Sequence, residues 1–463
     1  MRRLSVGDLL ERAASAANLA MLRTYAEPSP IQIAAISDYT PLLESYYGSL
    51  PPHDAPTRDS ILAQLDIHRS ILAPIRRLPV ELLSYIFSLV VEESPVRTIN
   101  IAVTLSCICT TWRKVARGHA ALWTTVVVET LGGFDEYREL FLPLTKDMPL
   151  DLRCDHREIL GDLWDRMAPY ASRWRRITLE ARLNTLPDLK VLYMERLERL
   201  VVFAHDAPLS PELSALDFVV APRIRHIALM LDELHSQRQL HVPVARELTS
   251  LVIEANSPFP ITHTLPLLRA CADTVESLVL KVLYPRDGNE SSYPTISSDT
   301  FVMKALSKLR LVDPACALLN HISAPLIETL ILSNVPAYGT QSLQGFLGRS
   351  RASRSLRDLR VYIPEERDPS AWIPCLQLMD SLTDLHFDEL LSKAEFLKQI
   401  VLHADRPSLL PKLRWINISR IFRAHEELHE AIRELALSRR ERVYVDGRPA
   451  WKILGWIRDP VCR

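Results

Sequence analysis

The chain has 463 residues, 48% of them hydrophobic, and a formal net charge of -1. That length exceeds one ordinary compact core and points to two or more units or an elongated array; the apolar content excludes disorder throughout, and the charge balance gives no argument for nucleic acid. Glycine is scarce, at 12 residues, and neither GxGxxG nor GxxxxGKS occurs, which argues against a phosphate-cradling loop.

The first segment, "MRRLSVGDLLERAASAANLA", lacks the apolar core of a secretory signal, and Asp8 and Glu11 weaken a transit-peptide reading. Ser5 followed by Asp8 marks a helix start, with Val6, Leu9, Leu10, Ala13 and Ala17 on one face. Residues 26–57 hold many prolines, including "EPSP" and "SLPPHDAP", and read as a linker. In 58–77, Ile61, Leu65 and Leu72 share a face, so a helix is expected up to about Pro74. No apolar stretch of about 18 residues occurs, so no membrane span is expected.

Residues 78–128 read as a unit. Leu78-Pro79 interrupts any helix arriving from upstream, and Pro79 suits the first turn of a new one, where its missing N–H leaves no unpaired donor. Leu82, Leu83, Ile86, Phe87, Val90 and Val91 then cover a wide helical face, which Pro95 ends. A second apolar segment places Val103, Cys107 and Val115 beside Trp112, and Leu122-Trp123 closes the unit. About 50 mostly helical residues with this much exposed apolar surface suggest a docking module that completes its core on a partner.

The stretch "LPVELLSYIF…VTLSCICTTWRKVARGHAALW" resembles an F-box. Leu78, Pro79, Glu81, Leu82, Leu83, Ile86 and Phe87 match the first part of the family pattern. Cys107, Trp112, Arg113, Leu122 and Trp123 match the second. "VEESPVRTIN" gives a longer first connection than the short forms, and Thr110-Thr111 replaces the usual basic pair before Trp. The order of a helix, "IRRLP" and a repeat region is also similar to the large F-box-like families of mushroom-forming fungi. The resemblance implies docking on a Skp-type adaptor, and through it on a cullin-RING ubiquitin ligase. Leu78, Pro79, Leu82, Ile86, Phe87, Trp112, Leu122 and Trp123 would form the adaptor contact and its support.

Downstream, "LWTTVVVE" and "MPLDLRC" read as strands around a helical "DEYRELFLPL". A motif, apolar-x-x-apolar-x-apolar, then recurs: "WRRITL", "LERLVV", "IRHIAL", "LTSLVI", "VESLVL", "LSKLRL", "IETLIL", "LRDLRV", "LTDLHF" and "LRWINI". Between copies lie helix-like stretches: "TLPLLRACAD", "SDTFVMKAL", "AWIPCLQLMD" and "AEFLKQIVLHAD". Short strands alternating with helices at this period are the signature of a leucine-rich-repeat solenoid. The expected fold class is therefore α/β: an N-terminal helical F-box followed by an irregular leucine-rich-repeat solenoid. The domains are 1–57 (helix and Pro-rich linker), 58–77 (helix leading into the F-box), 78–128 (F-box), 129–440 (solenoid) and 441–463 (cap and tail).

Strand side chains alternate with period two, so each copy turns two positions outward, among them Lys308/Arg310, Asp358/Arg360, Asp384/His386 and Trp415/Asn417. Because binding hot spots favour Trp and Arg, Arg310, Arg360, His386 and Trp415 are the expected substrate contacts.

Few residues suggest chemistry. The seven scattered cysteines read as reduced thiols in a cytoplasmic or nuclear protein. Cys107 and Cys109 lack a second pair at zinc-site spacing. His425-Glu426-Glu427-Leu428-His429 matches HExxH, which could place two zinc ligands on one helix face with Glu426 activating a water. Glu427 and Glu430 put charge where zinc proteases keep uncharged residues, and Ile432 and Leu435 occupy the place of an HxxGxxH extension, so a solvated helix face is the better reading. No GxSxG and no Cys–His nucleophile pair is present. The expected function is a non-catalytic, cofactor-free substrate receptor of a ubiquitin ligase, with no metal, nucleic-acid or membrane partner. The rivals are a scaffold that binds the adaptor without driving ubiquitination, and a zinc hydrolase acting through HEELH.

Overall fold

The computed structural model describes residues 5–449, except 25–26, 52, 94–97, 183–185, 187–188, 206–218, 232–246, 257–260, 283–299, 337, 363–367, 388–393, 402–408, 418–425, 439–443 and 446–447. It contains two compact units, Met1–Arg153 and Cys154–Arg463. The division falls after Arg153.

The first unit opens with helix α1 (Val6–Ala16), capped by Ser5 as expected: its Oγ accepts from the Asp8 amide at 3.1 Å. Helix α2 (Leu19–Thr24) follows, and then α3 (Pro30–Ser49). The reading of 26–57 as a linker is corrected here. Pro30 stands in the first turn, where proline costs no hydrogen bond. Ser29 and Gln32 form a reciprocal capping box at 3.3 and 2.8 Å. Pro41 is carried inside the helix. Helix α4 (Ala55–Leu72) buries Ile61 and Leu65 against Leu9, Ala13 and Leu43.

Polar side chains tie these helices together, most of them by bonding carbonyls near helix ends. Gln64 Nε2 donates to the Ala17 carbonyl at 2.7 Å. Buried His68 reaches the Ala13 carbonyl through Nε2 at 3.3 Å and Thr40 Oγ1 through Nδ1 at 3.1 Å. Arg76 donates to the Leu22 carbonyl at 3.0 Å, and Thr110 Oγ1 donates to the Arg23 carbonyl at 2.7 Å.

Three further helices follow: α5 (Val80–Glu92), α6 (Thr98–Ile108) and α7 (Thr110–Gly118). Pro79 occupies the N-cap of α5, one place before the first-turn position expected of it, and its carbonyl accepts from Leu83 N at 3.0 Å. The segment read as one apolar stretch breaks at Cys109, whose Sγ caps α7 by accepting from Trp112 N at 3.4 Å. Strand β1 (Thr125–Val128), helix α8 (Leu131–Leu140) and strand β2 (Leu150–Cys154) complete this region in the expected order.

After helix α9 (Leu160–Met167), the second unit is a strand-rich, mixed α/β region. Among the described residues its main sheet holds, in chain order and spatial order alike, β3 (Trp174–Arg182), β4 (Arg199–His205), β5 (His226–Leu231), β6 (Ser250–Ala255), β7 (Ser277–Val282), β8 (Lys308–Val312), β9 (Thr329–Ser333), β10 (Asp358–Tyr362), β11 (Asp384–Phe387) and β12 (Trp415–Asn417). Every neighbouring pair is parallel. Each strand carries one copy of the recurring motif.

Equivalent motif positions pair across these ten strands. Ile177, Leu200, Ile227, Leu251 and Leu278 form one lateral row, which Leu309, Leu330, Leu359, Leu385 and Ile416 continue. All ten are buried. A single-residue slip would turn a whole strand's apolar set to the other face, so this row fixes the register.

Helices α10 (Leu265–Ala270), α11 (Gly339–Ser350), α12 (Pro369–Leu376) and α13 (Ala394–Gln399) lie between strands. Three fall on stretches read as helical. The fourth such stretch, "SDTFVMKAL", is corrected: Phe301–Val302 is a short strand, parallel to Ile322–Ser323. Two strand residues are all that the apolar pair Phe301-Val302 supplies before Met303 turns into the core. The C-terminal region contains helix α14 (Glu426–Ser438) and the antiparallel pair Tyr444–Val445 and Arg448–Pro449.

Candidate functional site: an apolar helix face and an open sheet face

Helix α5 has two apolar faces with different fates. Leu83, Phe87 and Val91, at i, i+4 and i+8, are buried with Ala102, Ala116, Leu122 and Trp123. Phe87 packs on Trp112 with ring centroids 4.9 Å apart. Trp123 stacks on Phe141 at 5.2 Å, donates from Nε1 to the Ala116 carbonyl at 2.8 Å, and has its own carbonyl bonded by the Tyr137 hydroxyl at 2.7 Å. Ser84 and Ser88 lie 2.7 and 3.0 Å from the two ring nitrogens of His119, joining the polar side of α5 to the end of α7.

The other apolar stripe is uncovered in this chain. Leu82, Tyr85 and Leu89, at i, i+3 and i+7, are 50%, 62% and 43% exposed. Ile86 and Leu78 flank the stripe half-buried, and Pro79 and Val80 are exposed at its start. Three large side chains at helical spacing left in water are the pattern of a surface that a partner covers.

The expected contact set therefore separates by role. Leu82 and Pro79 are exposed, Leu78, Ile86 and Trp112 half-buried, and Phe87, Leu122 and Trp123 enclosed in the module's own core. Cys107 is exposed, not packed beside Trp112 as expected; it stands at the end of α6, whereas Trp112 belongs to the separate helix α7. Sequence reading missed Tyr85 and Leu89, although their spacing from Leu82 marks the stripe.

Residues 75–129 match the F-box-like family model. The F-box-like domain thus spans α5 to β1 and includes the whole exposed stripe. No curated protein matches the chain.

On the sheet, Arg310, Ile331, Arg360, His386 and Asn417 occupy one lateral row. Lys308, Thr329, Asp358, Asp384 and Trp415 occupy the row beside it. Arg310, Arg360 and Trp415 are exposed as expected. His386 is not: it is 9% exposed, with the Tyr362 ring centred 4.6 Å from its own. Alternation assigns its face correctly, but a neighbouring ring covers it. The Arg360 guanidinium is held by Asp358 on the same strand, at 2.8 to 3.1 Å. That hydrogen bond, outweighing partial burial, raises the arginine further above its ordinary value.

The HEELH stretch lies partly outside the described residues, since His425 is not among them. In α14, Glu427 and Glu430 are exposed while Leu428, Ile432 and Leu435 are buried, which makes the helix amphipathic with a charged outer side.

Proposed function

We propose that this chain is a non-catalytic substrate receptor of a Skp/cullin/F-box ubiquitin ligase. The observation that carries the reading is the coincidence of the F-box-like match at 75–129 with the exposed stripe of Leu82, Tyr85 and Leu89. Domains of this class generally dock on Skp-type adaptors. Leu78, Pro79, Leu82 and Ile86 make the contact together with Tyr85 and Leu89, while Phe87, Trp112, Leu122 and Trp123 hold the module in shape.

The strand-rich region is read as a leucine-rich-repeat-type solenoid that captures a substrate protein on its outward sheet face. Arg310, Arg360 and Trp415 are the contacts and His386 their floor. The chain then contributes position, not chemistry: it raises the effective concentration of substrate beside a conjugating enzyme, which requires no metal or cofactor. Its setting is the cytoplasm or nucleus.

Co-purification tests the reading. Leu82→Asp with Tyr85→Asp should abolish recovery of a Skp-type adaptor while the melting temperature stays within a few degrees of wild type. Full recovery with that double substitution, in a folded chain, sinks the proposal. Arg310→Ala with Trp415→Ala should keep the adaptor and lose co-purifying substrate.

A further inference from the structure

Helix α7 carries charge of one sign on its outer face. From Ser94 to Val128 the chain holds no aspartate or glutamate, in a protein whose net charge is -1. Within that run Arg113, Lys114 and Arg117 are all exposed. They lie on the side of α7 opposite Trp112, Val115 and Ala116, which pack into the module's core. Arg117 follows Lys114 by three residues and Arg113 by four, so the three cations stand within one helical turn. Thr110, which bonds the Arg23 carbonyl at 2.7 Å, brings the end of α2 beside the start of α7, and Arg23 is exposed too.

Among the described residues, none of these four side chains forms an ion pair. Exposed cations elsewhere do: Arg69 pairs with Glu44 at 2.9 Å, and Lys304 with Asp273 at 2.9 Å. Of the elements packed on α7, neither α2, α6 nor the turn Ala120–Trp123 contains an acid. Helix α5 has Glu81 in its first turn and Glu92 and Glu93 at its end, and Glu27 follows α2. These four are exposed and make no ion pair with α7. Arg113 and Lys114 each repel Arg117, which weakens a helix. Arg113 is nonetheless held in place, its Nε donating to the Ser106 carbonyl at 3.0 Å. A face of like charges that the fold keeps without neutralising fits a partner of opposite charge.

The spacing and the surroundings favour a polypeptide. Thr110 to Arg117 covers about 10 Å of helix, and carboxylates three or four residues apart on a partner helix recur at the same interval. Ile108, 54% exposed at the end of α6, adds an apolar side chain beside the start of the face. A nucleic acid would find no ring on which to stack its bases here, since Trp112 is packed on Phe87 at 4.9 Å.

We propose that the outer face of α7 binds an acidic segment of a partner protein, with carboxylates on Arg113, Lys114 and Arg117 and an apolar side chain on Ile108. This surface shares no residue with the apolar stripe of α5. It therefore goes beyond the adaptor contact and does not rest on it.

The test uses the full chain and a fluorescent, helix-forming Glu/Ala/Leu peptide of about a dozen residues, with a Gln/Ala/Leu counterpart and single-stranded DNA as comparisons. At low salt the Glu peptide should bind and the Gln peptide should not, with affinity falling as salt screens the charges. Lys114→Glu with Arg117→Glu should weaken binding roughly tenfold or more. Lys114→Ala alone, which removes one exposed charge, should give a smaller loss in the same direction. Arg69→Glu with Lys304→Glu makes the same change in net charge at two cations that are already paired, and it should leave binding unchanged. Melting curves confirm that the variants fold. Undetectable binding of the Glu peptide, equal loss in the two double variants, no loss in either α7 variant, or tighter binding of DNA overturns the proposal.

Discussion

The rings of Phe87 and Trp112 lie 4.9 Å apart and tilted by 58°. One residue comes from α5 and the other from α7, so this contact joins the helix that presents the exposed stripe to the helix that braces it. Phe87→Ala should cost about 3–5 kcal/mol, the usual range for removing a buried ring. Leu82→Ala, half-exposed on the same helix, should cost within about 0.5 kcal/mol. Urea unfolding of the two variants measures the difference. Equal losses would mean that the stripe belongs to the chain's own core.

His68 makes the helical start of the chain sensitive to acid. It is fully buried, and burial lowers its pKa below the ordinary imidazole value of 6.5, partly opposed by the Ala13 carbonyl. The unfolded chain then binds the proton more readily than the folded one, so stability rises with pH. His68's contribution is complete above about 6.5 and declines as pH falls towards its lower folded value. Melting temperature against pH should show this decline in the wild type and a flatter course in His68→Gln.

Gly339 opens α11 where a Cβ would stand 2.3 Å from Val335 Cγ1. A valine branch has no flexible end to swing away, so Gly339→Ala forces the turn or the helix to shift. Such overpacking costs about 1–3 kcal/mol. Chemical denaturation of this variant beside Gly348→Ala, which meets nothing within 4 Å, checks the claim.

Thiol reactivity should follow burial. Cys107 is exposed, whereas Cys109, Cys154, Cys271, Cys316 and Cys375 are buried. Burial pushes the Cys271 thiol up to about 11 and the Cys375 thiol up to about 12. Because the thiolate is the reactive form, limited alkylation should label Cys107 first among these six, with Cys271 and Cys375 modified only on unfolding. Peptide mass spectrometry reads the order.

The strands were legible because a buried row needs the same residue type at the same step in every copy, and ten copies repeat it. Helix α3 was not. Its prolines read as breakers, while the Ser29–Gln32 capping pair that starts the helix was overlooked. Tyr85 was missed for a related reason: a family pattern directs attention to Leu82 and Ile86, but only solvent exposure separates a docking face from a packed one. His386 shows the limit of alternation. Period two assigns a side to each residue, and it says nothing about Tyr362 leaning over that side from the neighbouring strand.

The unslipped pairing of β3 to β12 gives each outward side chain an address of two whole numbers: which strand, and which step along it. The connections between strands enter neither number. Insertions or deletions in those connections leave the map of the outer face untouched, whereas one residue added inside a strand moves every later side chain of that strand to the opposite side. Strand-plus-connection segments are thus the natural currency of change in this molecule. Removing or duplicating a whole segment would shorten or lengthen the outer surface by one column and keep every other column intact.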